Sequence, residues 1–355
     1  MSDPAAIVIF MDYEQVTEIL ASMRLDPYCS LTPRFLGVVD ANAILSSVDN
    51  DCRKGPYWRS RLLRMTSGRT AVLYAPDHIY TEVYRRLPRI ARSSAVPLET
   101  LRARFEAQYL PALRYVTVDA TRVADPQVLA ITDPDDVPTG QLAKLIAPCI
   151  VFSEDRHLRN PGLAPPEWRE AAQFAVDLVE GITGQRVTGG LAAIPFRGGA
   201  ELIMFLGRKT GIPPWIIGGI MAAGAVLVLK SPQRRQAIGK YAMPVAEALL
   251  KEMERSAALE QRGIAGLREI LLAALPDPDV KQQAAVVLAR QGEPLLAREV
   301  QERLLRHFPS ERVPTVTEIR AALKDGSEFV QPERYRWQFG REAGPWRGRY
   351  QRPDG

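Results

Sequence analysis

Apolar residues along this chain fall into short unbroken runs separated by stretches with helical spacing. Runs occupy residues 35–39, 71–75 and 149–152, and residues 114–119 alternate between apolar and polar side chains. Uninterrupted runs of that length predict strands buried on both faces. Helical periodicity fills the gaps, predicting helices over residues 41–49, 58–65, 77–91 and 98–113, a short turn at 125–131, and a helix from Asp136 through Gln141 to Ile146. Strands alternating with helices predict an α/β fold with a parallel sheet and crossover helices. Upstream, residues 6–10 predict a short strand and residues 13–23 an amphipathic helix.

The pattern changes beyond residue 160. Residues 168–179 are helical in period, residues 181–199 are rich in glycine, and residues 241–275 predict one or two amphipathic helices. Residues 280–291, 295–307 and 316–323 then predict three short helices, followed by an alternating tract at 328–339 that predicts a hairpin. Between these regions, residues 210–229 carry no charge. The helical part, 213–229, would span about 26 Å at 1.5 Å per residue, just short of a ~30 Å hydrocarbon core. Two readings stand for it, a helix buried in protein and a membrane attachment. A single span would place the flanking regions on opposite sides of a membrane.

The expected organisation is therefore an N-terminal extension (1–33), an α/β domain (34–162), a helical region (163–230) and a helical connector (231–279). A small helical domain with a hairpin (280–341) and a tail rich in Arg, Gly and Pro (342–355) complete it.

Composition alters this picture little. Three scattered cysteines with no Cys-x-x-Cys pair argue against a zinc site or a disulfide framework. Three scattered histidines argue against a His-ligated metal, so any metal site would be oxygen-rich. No basic segment precedes the apolar patch near the N-terminus, so no secretory signal is expected, and a cytoplasmic location is. The net charge of +5 lies wholly in the C-terminal part. Residues 1–229 hold 24 basic and 24 acidic side chains, whereas residues 230–355 hold 22 and 17. That placement hints at a polyanionic partner there.

The candidate chemistry lies at the strand ends. Asp40 and Asp155 each follow a predicted strand, Asp136 heads a helix beside Asp133 and Asp135, and Glu82 rides the helix after the second strand. Asn42 falls on the side of Asp40. Ligands of parallel sheets sit beyond the carboxyl ends of the strands. Four carboxylates meeting there would repel one another unless a cation intervened, and hard oxygen donors suit Mg²⁺ or Mn²⁺. The plainer reading is that Asp40 and Asp155 cap helices.

Asp40-Ala-Asn42, the segment from Pro76 to Val83 with Glu82, Asp133-Pro-Asp-Asp136 and Phe152-Ser-Glu-Asp155-Arg-His-Leu158 resemble, in order and spacing, the PIN domain. The resemblance covers residues 34–160. It implies a PIN-like parallel sheet flanked by helices and a metal-dependent ribonuclease, as in VapC-type toxins, with a partner antitoxin protein. Asp40, Glu82, Asp136 and Asp155 match the family's metal-coordinating, catalytic acids; Asn42 and Ser153 match its auxiliary polar positions, and Asp133 assists. Residues 88–113 form a longer insertion than a minimal toxin carries. Residues 280–341 resemble a winged helix. That likeness implies contacts to DNA or RNA from Thr315, Thr317, Arg320 and Lys324 on the third helix, and from Arg334, Arg336 and Arg341 on the wing. A dimerisation or partner module is the alternative.

The expected function is a Mg²⁺- or Mn²⁺-dependent endoribonuclease acting on RNA, with Arg156, His157 or Arg159 holding a substrate phosphate, in a homo-oligomer. Two rivals stand beside it. One is a nucleic-acid-binding regulator whose PIN-like part is only a scaffold. The other is a membrane-attached interaction protein using residues 213–229.

Overall fold

The computed structural model describes residues 35–66, 71–119, 125–197, 232–273, 277–291, 293–307 and 313–342. The expected N-terminal strand and helix, the apolar stretch 213–229 and the tail beyond Glu342 lie outside the described residues. No described helix is long and apolar enough to cross a membrane. The chain divides into two compact units, one containing residues 177–262, the other residues 33–176 and 263–355.

The larger unit is α/β. Its strands are β1 (Phe35–Val39), β2 (Ala71–Pro76), β3 (Leu113–Val116) and β4 (Ile150–Phe152), interleaved with α1 (Ala41–Lys54), α2 (Arg61–Thr66), α3 (Asp77–Ser93), α4 (Leu98–Arg104) and α5 (Val137–Ile146). Strand order is β4-β1-β2-β3, all parallel, with a later strand added at the β3 edge. Every residue of β2 and β4 is buried, as both-face burial requires of unbroken apolar runs. Gly37 in β1 lets the sheet close: a Cβ there would stand 2.6 Å from Phe152 and 2.7 Å from Leu73.

The chain builds outward from β1 through β2 to β3, then returns to lay β4 on the opposite side of β1. The crevice between the carboxyl ends of β1 and β4 is thus the topological switch point, where open parallel sheets present their ligand sites. The Asp40 amide donates to the Phe152 carbonyl across it at 3.2 Å.

Residues 280–342 do not stand apart from this sheet. They form α8 (Val280–Arg290), β5 (Leu295–Leu296), α9 (Ala297–His307), α10 (Val316–Asp325), β6 (Phe329–Glu333), β7 (Arg336–Phe339) and β8 (Arg341–Glu342), following α6 (Trp168–Arg197) and α7 (Pro232–Ile270). Strands β5, β7 and β6 make a small antiparallel sheet. Helix α8 is buried along Ala284–Ala289, so it is covered on every side. Its Val287 and Leu288 share one core with Leu36, Val38, Leu142 and Ile146 of the α/β part and with Leu304, Ile319, Leu323 and Phe339 behind it. The Tyr74 hydroxyl donates to the Ala289 carbonyl at 2.9 Å. Packing therefore joins what the apolar pattern alone separates into a small C-terminal domain.

After β7, Gly340 at φ 64 turns the chain against the Tyr115 carbonyl, and β8 pairs antiparallel with β3 as the fifth strand. Arg341, expected on the wing, instead ion-pairs with Asp77 at 3.1 Å and donates to the Thr117 hydroxyl at 2.9 Å.

In the smaller unit, α6 meets α7 around Gly181 and Gly184, which lie against Ser256 and Glu260. Gly181 permits their close approach, since a Cβ there would lie 2.5 Å from the Glu260 amide nitrogen. Arg262 pairs with Asp177 at 3.2 Å, and Gln185 donates to Glu260 at 2.5 Å.

Candidate metal centre

Asp40 follows β1 directly and is 2% exposed. One carboxylate oxygen accepts from the Ala41 amide at 2.6 Å, so the residue does cap α1. The other accepts from the Ser153 hydroxyl at 2.7 Å and the Asn42 amide at 3.2 Å. Burial, then Glu82 and Asp155, push its pKa up to about 6, against hydrogen bonds from Ser153 and Ala41 that lower it. Ser153, just past β4, also accepts from the Asp155 amide at 2.9 Å. Asp155 in turn caps the short helical turn Arg156–Arg159 through the His157 amide at 2.9 Å. Both aspartates are thus helix caps, and Asp155 also acts electrostatically on Asp40.

Asp136 sits at the N-terminus of α5 with no side-chain cap bond. Its Oδ2 is buried without a partner. Burial raises its pKa first, followed by Asp155, Asp40, Asp133 and Glu82, to about 7. Asp133 spends one oxygen on the Asp135 amide at 3.0 Å, closing the turn before α5. Glu82 lies on α3 one residue before buried Val83. The four acids, together with Asn42, Ser153 and Asp133, thus share one electrostatic neighbourhood at the switch-point edge.

The centre also holds a basic residue that pattern reading passed over. Arg86 donates to Glu82 at 2.7 Å and to Asn42 Oδ1 at 2.6 Å. Its sequence signal was the i,i+4 spacing from Glu82 on one helix face. Among the described residues, no group of three or more Asp, Glu, His or Cys is set to hold a metal ion as the side chains stand. Neighbouring carboxylates add to burial in raising the pKa of Asp40 and Asp136, and Arg86 holds Glu82 in an ion pair. The donor chemistry fits a hard divalent cation: every candidate ligand is oxygen, and one buried carboxylate oxygen lacks a partner.

A groove of about 610 Å³ opens beside Glu82, lined by His78, Thr81, Arg85, Thr117 and Asp135. Burial lowers the His78 pKa, against opposing carboxylates. Arg156 is exposed just beyond Asp155.

The expected C-terminal contacts divide. Arg320, Lys324, Thr317 and Arg334 are exposed. Thr315 instead forms a capping box with Glu318 at the start of α10. Arg336 faces Glu299 at 3.7 Å and Glu333 at 3.6 Å and donates to the Pro294 carbonyl at 3.0 Å, so its role is internal. Glu328, 3% exposed, pairs with Lys281 at 2.8 Å.

Fold and site together define an α/β protein with an acidic cluster at the switch point of a mostly parallel sheet. Comparison with protein-family models, with curated proteins and with solved structures finds no match.

Proposed function

We propose that the protein is a Mg²⁺- or Mn²⁺-dependent ribonuclease of PIN-domain type. One observation carries this reading: Asp40, Glu82, Asp136 and Asp155 come from four separate segments to one sheet edge, where burial first and the neighbouring carboxylates second raise the pKa of Asp40 and Asp136. Burial and like charge are a standing cost in a site that only supports the fold. They are useful where a cation is to be held, and perturbed carboxylates in a cleft mark functional sites more often than chance.

In this proposal the four carboxylates would hold the cation, whose chemistry there would be to make a water acidic enough to attack a phosphodiester. Ser153 and Asn42 fix one oxygen of Asp40, and Asp136 presents its unpartnered Oδ2. The groove beside Glu82 leads the strand in, and Arg85 and Arg156 hold phosphate. The test is cleavage of mixed RNA and DNA by the full chain with Mn²⁺ and with EDTA. RNA cleavage in Mn²⁺, its loss in EDTA and its fall by about 100-fold or more in Asp40→Asn support the proposal. Equal cleavage by Asp40→Asn removes Asp40 from the site.

A second reading rests on exposed Arg320, Lys324 and Arg334: a nucleic-acid-binding regulator acting through residues 280–341. It predicts duplex DNA binding that Arg320→Ala weakens, with no cleavage under any metal condition.

A further inference from the structure

Far along α1 from the acid cluster, the chain leaves the helix in the segment Arg53-Lys-Gly-Pro-Tyr-Trp-Arg-Ser-Arg61. These nine residues contain four cations, two adjacent aromatics, no acid and no aliphatic side chain beyond proline. Tyr57 is 97% exposed and Trp58 45% exposed. Both figures are high for large rings, which ordinarily recover burial.

The exposure is built into the backbone. Arg104 donates to the Gly55 carbonyl at 2.9 Å and to the Pro56 carbonyl at 3.2 Å. The Trp58 amide closes the turn on Gly55 at 3.3 Å, and the Ser60 amide donates to the buried Asp51 carboxylate at 3.1 Å. Asp51 is itself fixed by the Tyr109 hydroxyl at 2.5 Å. The segment is thus held on both sides of the rings while the rings point outward. The Lys54 ammonium lies 4.2 Å from the Trp58 ring centroid, covering one face of it. Arg53 pairs with Asp49 at 2.6 Å, and Arg61 donates to Gln173 at 2.8 Å, so the flanking cations are also placed.

We infer that this loop is a binding platform for single-stranded nucleic acid, separate from the acidic centre. Two adjacent rings offer faces on which unpaired bases stack, and Lys54 beside Trp58 matches a phosphate backbone. A duplex keeps its base faces covered and gains only the charge. A lipid surface would need a longer apolar face than two rings provide. The inference goes beyond the proposed cleavage, because the platform binds strand without cutting it.

Fluorescence anisotropy of a labelled oligouridylate with the full chain in EDTA tests it. Without a divalent ion the acid cluster repels phosphate, so binding reads the rest of the surface and does not depend on whether the acids cut. Tyr57→Ala with Trp58→Ala should weaken binding by about 10-fold or more, with the circular dichroism and melting temperature unchanged because both rings lie outside the core. Lys54→Gln should lower the slope of log affinity against log salt by about 0.7. Wild-type affinity in the double aromatic variant overturns the inference, as does wild-type protein that binds anionic phospholipid vesicles but no oligouridylate. Equal affinity for a duplex of the same length overturns the single-strand assignment.

Discussion

Asp40 caps a helix with one oxygen, takes hydrogen bonds from Ser153 and Asn42 on the other, and stands within the fields of Glu82, Asp136 and Asp155. The last of these makes the residue costly when no cation is bound. Its raised pKa means the native state holds a proton more tightly than the unfolded chain does. Between the ordinary carboxylate value of 3.8 and about 6, the native state therefore binds more protons, and stability falls as pH rises through that window. Asp136 extends the same trend toward about 7. Asp40→Asn keeps a competent cap and removes the charge. In EDTA its stability advantage over wild type should grow from pH 4 to pH 7, reaching at most about 3 kcal/mol for a shift of some two pK units. Adding Mn²⁺ should reverse the order, stabilising wild type and leaving Asp40→Asn unmoved. Urea unfolding at several pH values reads both effects, and a variant that tracks wild type across the range would mean Asp40 bears no uncompensated charge. Arg86 is the internal counter-charge in this setting. Arg86→Met should cost about 1 kcal/mol in EDTA, a modest figure because the Glu82 pair is partly exposed. The loss should shrink in Mn²⁺, where a bound cation would replace the missing charge; an equal loss in both conditions argues for simple packing.

Element by element, position at the strand ends decides what each acid can do. Gly37 in β1 lies between Phe152 and Leu73, three residues before Asp40. Gly37→Ala forces a Cβ into space those side chains occupy, and overpacking of this kind costs about 1–3 kcal/mol. The midpoint of urea unfolding should fall accordingly, and the proposed cleavage should fall with it because β4, which Ser153 follows, is displaced from β1. An unchanged midpoint would show that Phe152 has room to move aside. Three of the four parallel strands were legible because unbroken apolar runs have few other meanings, and β3 was legible by alternation; Asp40 stood out immediately beyond such a run, and Asp136 and Asp155 at helix starts. Other features left no such trace. Residues 98–113 read as one helix, yet Phe105–Tyr109 winds as a π turn and brings Tyr109 onto Asp51. A local one-residue change of winding has no hydrophobic period of its own. The two-residue strands β5 and β8 are too short to show alternation. Thr315 and Glu318 had the spacing of a capping box, and that local bond, rather than contact with a partner, is where their polar atoms go.

At the scale of the whole molecule, the question is why the sheet needs the last quarter of the chain. Over Ala284–Ala289 helix α8 has no polar face to turn toward water, because all six residues are buried. Small residues let it lie close against the sheet, and the longer side chains of α9, α10 and β7 close over its far side. Val287, Leu288, Leu304, Ile319, Leu323 and Phe339 are each at most 1% exposed. At ~1.5–3 kcal/mol for each fully buried side chain, their loss removes on the order of 10 kcal/mol. That equals the whole net stability of an ordinary domain, about 5–15 kcal/mol. The remaining sheet would also expose Leu36, Val38 and Tyr74 to water and leave the Tyr74 hydroxyl without its acceptor. A chain ending at Pro278 should therefore show no cooperative unfolding transition and should bind a hydrophobic dye without heating, while the full chain shows a transition and no dye binding. If the truncated chain unfolds cooperatively with near-native stability, the shared core is two cores in contact, and residues 280–342 can be reassigned as a separable module. If it does not, the C-terminal segment belongs to the same folding unit that positions Asp40, and no fragment lacking it will report on the acids.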